Sequence, residues 1–172
     1  MFLEDPEAGA NKLFNVLKAY SQYDDGVGYM QGMNFLAGLV LTVFDDEALA
    51  FFVFKRVLEV NEWRRMFVEG TPKLFELSEQ VKAFIKKEMC TLHKRMKVFE
   101  ICIEPLLASA FLTVFSNLLV INEAQKALER FILEGEVFVV ETIKGLLKVY
   151  EEKMINMDSW ELMLFIAREM YQ

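Results

Sequence analysis

The sequence predicts an all-α domain, and three observations carry that reading. Helix-starting signatures recur along the chain, apolar residues between them fall at intervals of three and four, and strand signals are almost absent. With 172 residues, 54% of them hydrophobic, the chain can bury a full core. Only 3 Pro and 8 Gly leave no linker or low-complexity stretch, so residues 1–172 read as one domain. Cap number and typical helix length imply about eight to ten helices.

Asp5-Pro6 reads as an N-cap with proline at the first helical position. The helix that follows carries the stripe Leu13, Val16, Leu17 and Tyr20, and Asp24-Asp25-Gly26 ends it. Next comes GVGYMQGMN, Gly26 to Asn34, three glycines in nine residues. Met33 then begins a long apolar helix running from Phe35 to Phe44. The glycines therefore occupy a tight passage between two helices, where positive φ or close approach of another backbone is wanted. Neither the Lys-Ser/Thr pair of a P-loop nor a preceding strand is present, so the passage is not a phosphate cradle of that kind.

Asp45-Asp46-Glu47 places negative charge at another helix start, where the macrodipole favours it. Phe51, Phe52 and Phe54 read as core in preference to a docking surface. Thr71-Pro72 repeats the first start signal and precedes the stripe Leu74, Leu77, Val81, Phe84 and Ile85. From Pro105 to Ile121 no residue is charged, yet Ser109, Thr113, Ser116 and Asn117 recur at helical spacing. That polar strip makes the segment a buried core helix in preference to a membrane span. Asn122 with Gln125, and Asp158 with Glu161, have capping-box spacing. Val137, Val140, Ile143, Leu147 and Tyr150 form a third stripe.

A net charge of -7 argues against a nucleic-acid or anionic-membrane surface, because those partners need clustered Lys and Arg. Cys90 and Cys102 are too few for a disulfide framework or a zinc site, which fits a reducing, cytoplasmic setting. The start, MFLEDPEAG, has neither the basic flank nor the apolar segment of a targeting peptide. His93 lies among Leu92 and Lys94-Arg95 and reads as a surface or packing residue. With no third group to orient it, a Cys90–His93 pair makes a poor nucleophile. Glu88 and Glu100 read as solvated carboxylates.

The stretch LFNVLKAYSQYDDGVGYMQGMNFLAGLVL resembles the TBC domain, the all-helical GTPase-activating domain for Rab proteins. The resemblance lies in Leu13, Val16, Leu17, Ala19, Tyr20 and Ser21, then Asp24, then Gly28, Tyr29, Gln31, Gly32, Met33 and Asn34. Weaker matches follow at Ala50-Phe51, Phe67 with Gly70, Leu92-His93, Phe111 to Phe115, and Phe131 with Leu133, Glu134 and Gly135. Departures fall at Ala110, Leu119-Val120 and Glu129, where that family usually has Trp, Leu-Pro and Asp.

The resemblance implies an activator that supplies side chains in trans, an arginine for phosphate charge and a glutamine that orients the water. Gln31 matches that glutamine, and Tyr29 would brace it. Gly28, Gly32, Met33, Asn34 and Asp24 form the surrounding partner-contacting set. The partner would be a Rab-type GTPase in its GTP form, with GTP and magnesium carried by the GTPase and no cofactor on this chain. Association with vesicle or organelle membranes would run through that partner.

The family's arginine segment, Ile-x-x-Asp-x-x-Arg, is upstream of the first matched helix, and the first arginine here is Arg56. Lys12 and Lys18, the only cations before Lys55, lack the planar fork of a guanidinium. Loss of an arginine finger is worth on the order of 10³ to 10⁵ in rate. The chain alone is therefore expected to activate weakly, with Leu13, Val16 and Leu17 short of packing. Two other readings stay open: a Rab-binding or scaffold module without catalysis, and a helical module unrelated to GTPases.

Overall fold

A computed structural model describes residues 5–172; Met1–Glu4 of the N-terminal segment lie outside it. The described residues form ten α-helices and no strand. In chain order these are α1 (Pro6–Tyr23), α2 (Met33–Val43), α3 (Glu47–Glu59), α4 (Pro72–Glu88) and α5 (Cys90–Val98). They continue with α6 (Ile103–Thr113), α7 (Ile121–Glu134), α8 (Glu136–Val149), α9 (Glu151–Met154) and α10 (Ser159–Ala167). Tighter 3-10 segments occupy Val60–Met66 and Glu169–Tyr171.

Three of the expected caps operate as read. The Asp5 carboxylate accepts from the Ala8 N–H at 3.0 Å, Asp46 accepts from Leu49 at 2.7 Å, and Asp158 with Glu161 closes a reciprocal capping box. Two do not. Thr71 sits in a left-handed conformation without a side-chain cap bond, so Pro72 alone marks the start of α4. Asn122 lies inside α7, whose N-cap is Val120, and the Gln125 amide donates to the Thr42 hydroxyl at 3.0 Å. Gln125 is thus a tie from α7 to α2, which its spacing to Asn122 disguised.

The apolar run from Pro105 to Ile121 is not one helix. α6 stops at Thr113, and Val114 and Phe115 both take positive φ before α7 begins. The polar residues expected to line a helix face instead stitch this turn. Thr113 Oγ1 donates to the Ser109 carbonyl at 2.7 Å, and the Asn117 amide donates to Ser109 Oγ at 3.0 Å. Among the described residues no helix is long and apolar enough to cross a membrane.

α1, α2 and α3 pack on one another, α4 is central against α5, α6 and α8, and α6 bridges to α2 and α10. One continuous core threads these layers, with Phe54, Trp63, Phe67, Phe111, Phe131 and Phe165 fully buried. Trp63 meets Phe131 edge to face with ring centroids 4.6 Å apart, a favoured aromatic geometry. The phenylalanine cluster divides: Phe54 is core, Phe51 is half-buried, and Phe52 is 60% exposed. Of the first stripe, Val16 and Tyr20 are buried, while Leu13 and Leu17 are only partly covered.

Candidate functional site

The loop between α1 and α2 is built from its two ends. At the first, the Asp24 N–H closes α1 on the Tyr20 carbonyl at 2.9 Å, and the Asp24 carbonyl accepts from Gly28 at 2.8 Å and Val27 at 3.2 Å. The Asp24 carboxylate takes both prongs of the Arg64 guanidinium, with Nη2 at 2.6 Å and Nε on the other oxygen, and a third bond from the Tyr20 hydroxyl at 3.0 Å. Such a fork is directional as well as charged. Its hydrogen bonds from Arg64 hold the Asp24 carboxyl below the usual carboxylate range. Burial, then the bond to Asp24, pushes the Tyr20 hydroxyl well above its ordinary value.

At the second end, Met33 is buried and its N–H donates to the Met30 carbonyl at 3.2 Å. Gly32, at φ 107°, lets the chain pass against α6: a Cβ there would sit 3.3 Å from Leu112 Cβ and 3.6 Å from the Phe67 ring. The Asn34 side-chain oxygen accepts from the Gly32 N–H at 3.3 Å. Gly28, at φ 65°, has open space where a Cβ would go, so its backbone shape and not crowding calls for glycine.

Between these anchors, Tyr29, Met30 and Gln31 are exposed. Gln31 therefore stands on a short turn whose base is locked in the core. Its amide has no hydrogen-bond partner among the described residues, leaving both a donor and an acceptor free. Tyr29 lines an apolar furrow of about 530 Å³ with Leu13, Phe14 and Leu17 of α1. The partly covered α1 stripe and the glycine loop are thus one continuous surface. Asp24, Gly32 and Met33 of the expected partner-contacting set stand apart from this surface: the Asp24 carboxylate is only 12% exposed and engaged within the chain, and Gly32 and Met33 are buried in the base of the turn.

Sequence reasoning missed Arg64, which comes 40 residues after the aspartate it holds. No local pattern announces it; the first of two adjacent arginines after Trp63 has the look of any surface cation. Gly32's approach to Leu112 and Phe67 was equally silent, since it depends on how α6 packs across α2.

The sequence model of the Rab-GTPase-TBC domain family matches residues 2–155. The ecotropic viral integration site 5 ortholog of Drosophila melanogaster is 27% identical over 98% of this chain, and the match covers 21% of that protein. The Rab GTPase-activating protein eat-17 of Caenorhabditis elegans is also 27% identical over 98% of the chain, covering 19% of its own length. The chain thus spans about a fifth of the length of these curated relatives. The crystal structure of the Chlamydomonas flagellar RabGAP TBC domain shares the fold, with a TM-score of 0.78 at 23% identity over 96% of this chain and 55% of that one.

Proposed function

The chain belongs to the Rab-GTPase-TBC domain family, and from that premise we propose that it acts as a GTPase-activating module for a Rab-type GTPase, with Gln31 set against the partner's nucleotide. The observation that carries the reading is the exposed, unpartnered Gln31 amide on a turn braced at Asp24 and Met33. Hydrolysis of GTP needs an in-line water and relief of charge on the transferring phosphoryl group. A carboxamide can accept from the water and donate to a phosphate oxygen at once. Fixed on a short turn, it loses little further freedom on docking, which favours catalysis by position. The furrow beside Tyr29 supplies apolar contact area next to that amide. GTP and magnesium belong to the partner, which would also bring this chain to membranes from the cytoplasm.

A second reading, Rab binding without catalysis, is favoured by Arg64. This guanidinium reaches the loop but is held by Asp24, so a cation for the phosphate must come from elsewhere. Single-turnover GTP hydrolysis across a Rab panel separates the two. Acceleration that Gln31→Ala reduces by about a hundredfold, the order expected for one lost transition-state contact, supports activation. Rab binding with no acceleration, unchanged by Gln31→Ala, leaves a non-catalytic module.

A further inference from the structure

The net charge of -7 hides a sharp segregation. Residues 82–97, KAFIKKEMCTLHKRMK, hold six of the 19 Lys and Arg with a single Glu, a local balance of +5. The rest of the chain has 13 cations and 25 carboxylates, a balance of −12. A basic island on an acidic protein focuses potential where it stands.

This island folds back on itself as the end of α4 and the whole of α5, and the two helices with the start of α6 line an open cavity of about 590 Å³. That volume falls in the range of about 300–1,000 Å³ usual for small-molecule sites. Its floor is Ile85, Met96 and Ile103, all buried. One wall is fixed by Lys82, which is bonded to Glu79 at 2.8 Å and to the buried Glu104. Burial pushes the Glu104 carboxyl up, but the Cys102 thiol at 2.9 Å and Lys82 outweigh it, so it stays ionised and keeps Lys82 in place.

Two of the five remaining cations have partners. Lys87 meets Glu88 at 3.1 Å, and Arg95 donates to the Met157 carbonyl and covers Phe99. Lys86, Lys94 and Lys97 have no carboxylate within ion-pair distance among the described residues, and Lys86 and Lys97 line the cavity together with His93. Glu100 lines it too and is likewise unpaired. Two free ammonium groups and an imidazole suit a multiply charged oxyanion, since lysine binds phosphate as a point charge. A free carboxylate beside them repels a bare anion but accepts from hydroxyl groups.

We propose that the α4–α5–α6 cavity binds a phosphorylated polyhydroxyl compound, its phosphate on Lys86, Lys97 and His93, its hydroxyls on Glu100, and its carbon skeleton on Ile85, Met96 and Ile103. The site is independent of the GTPase reading, because it shares no residue with the Gln31 loop. Such a ligand exists free in solution or as a lipid headgroup, and the chemistry at the protein is the same.

The test is calorimetric titration of the chain with fructose bisphosphate, alongside sedimentation with phosphatidylcholine vesicles lacking or carrying phosphatidylinositol phosphate. Saturable binding of the soluble ester identifies a metabolite-type ligand, and binding only to the phosphorylated vesicles identifies the headgroup source. In either case Lys86→Gln with Lys97→Gln is expected to weaken binding about tenfold or more, as for lost hydrogen bonds to a charged group. Lys94→Gln, on the same island but outside the cavity, is expected to change it by less than about twofold. All three lysines are exposed, so the variants are expected to fold. The proposal is overturned if neither probe binds, or if Lys94→Gln weakens binding as much as the cavity pair, which would mean diffuse attraction and no site.

Discussion

The turn from Asp24 to Met33 takes its left-handed backbone at Gly28 and Gly32, whereas the passage from Val60 to Thr71 takes it at Asn61, Glu62, Gly70 and Thr71, three of which bear side chains. For a residue with a Cβ that conformation costs about 1–2 kcal/mol, so something in the second passage must offset it. Asn61 shows what does. Its side-chain oxygen accepts from the Glu136 N–H at 3.3 Å across 75 residues, and it lies directly over Gly135. Trp63, two residues on, is fully buried against Phe131, and Arg64 next to it clamps Asp24. The first turn gets its shape from residue choice and leaves Tyr29, Met30 and Gln31 exposed at its tip. The second has its shape imposed by long-range contacts and is occupied in holding the first.

If that contrast is right, the largest loss of stability comes from a residue that serves the second passage from afar. Gly135 has φ 70° and ψ −154°, and a Cβ there would lie 1.9 Å from Asn61 Oδ1. Gly135→Ala is expected to cost about 3 kcal/mol in urea unfolding, combining a conformation nearly restricted to glycine with loss of the Asn61 bond. Adding Asn61→Gly removes the obstructing side chain and should recover about 1 kcal/mol. A double variant no more stable than Gly135→Ala alone would show that the contact with Asn61 is not what fixes that turn.

Within the first turn the two glycines should differ. Gly32→Ala meets Leu112 and Phe67 as well as an unfavourable φ, and is expected to cost about 2 kcal/mol; Gly28→Ala meets open space and should cost about 1 kcal/mol. Equal losses would mean that backbone strain alone sets both.

Arg64→Ala breaks the link between the two turns. The guanidinium is 42% exposed, so solvent screening reduces what the pair contributes, and about 1–2 kcal/mol is expected near neutral pH. The dependence on pH has a definite sign. Asp24 is held below its unfolded value, near 3.9, chiefly by Arg64, so its contribution is present above that value and lost as pH falls through the lower folded one. The difference between wild type and Arg64→Ala should therefore be full above about pH 5 and shrink below about pH 4. A constant difference down to pH 3 would place the stabilisation in packing and not in the ion pair.

These contrasts also explain what could be read from the sequence. Asp5, Asp46 and the Asp158–Glu161 box act within three residues of themselves, and so were legible. The glycine loop was legible because glycine records its own conformation. Val114 and Phe115 carry no such mark: a β-branched residue and an aromatic turn left-handed inside an apolar run because Ser109, Thr113 and Asn117 tie the turn together. Arg64 and the Leu112 contact of Gly32 were hidden for the same reason. Each depends on an element far along the chain, which periodicity cannot place.

The smallest expected change in stability belongs to Gln31→Ala. The side chain is exposed, it makes no hydrogen bond among the described residues, and both ends of its turn are anchored without it. Unfolding free energy should move by less than about 0.5 kcal/mol. A side chain that no part of the fold uses, displayed on a turn that two anchors hold, is free for the role proposed for it at the partner's nucleotide. Were Gln31→Ala instead to destabilise the protein by more than about 1 kcal/mol, the amide would be part of the brace, and any loss of GTPase activation in that variant would have to be assigned to the turn and not to chemistry at the nucleotide.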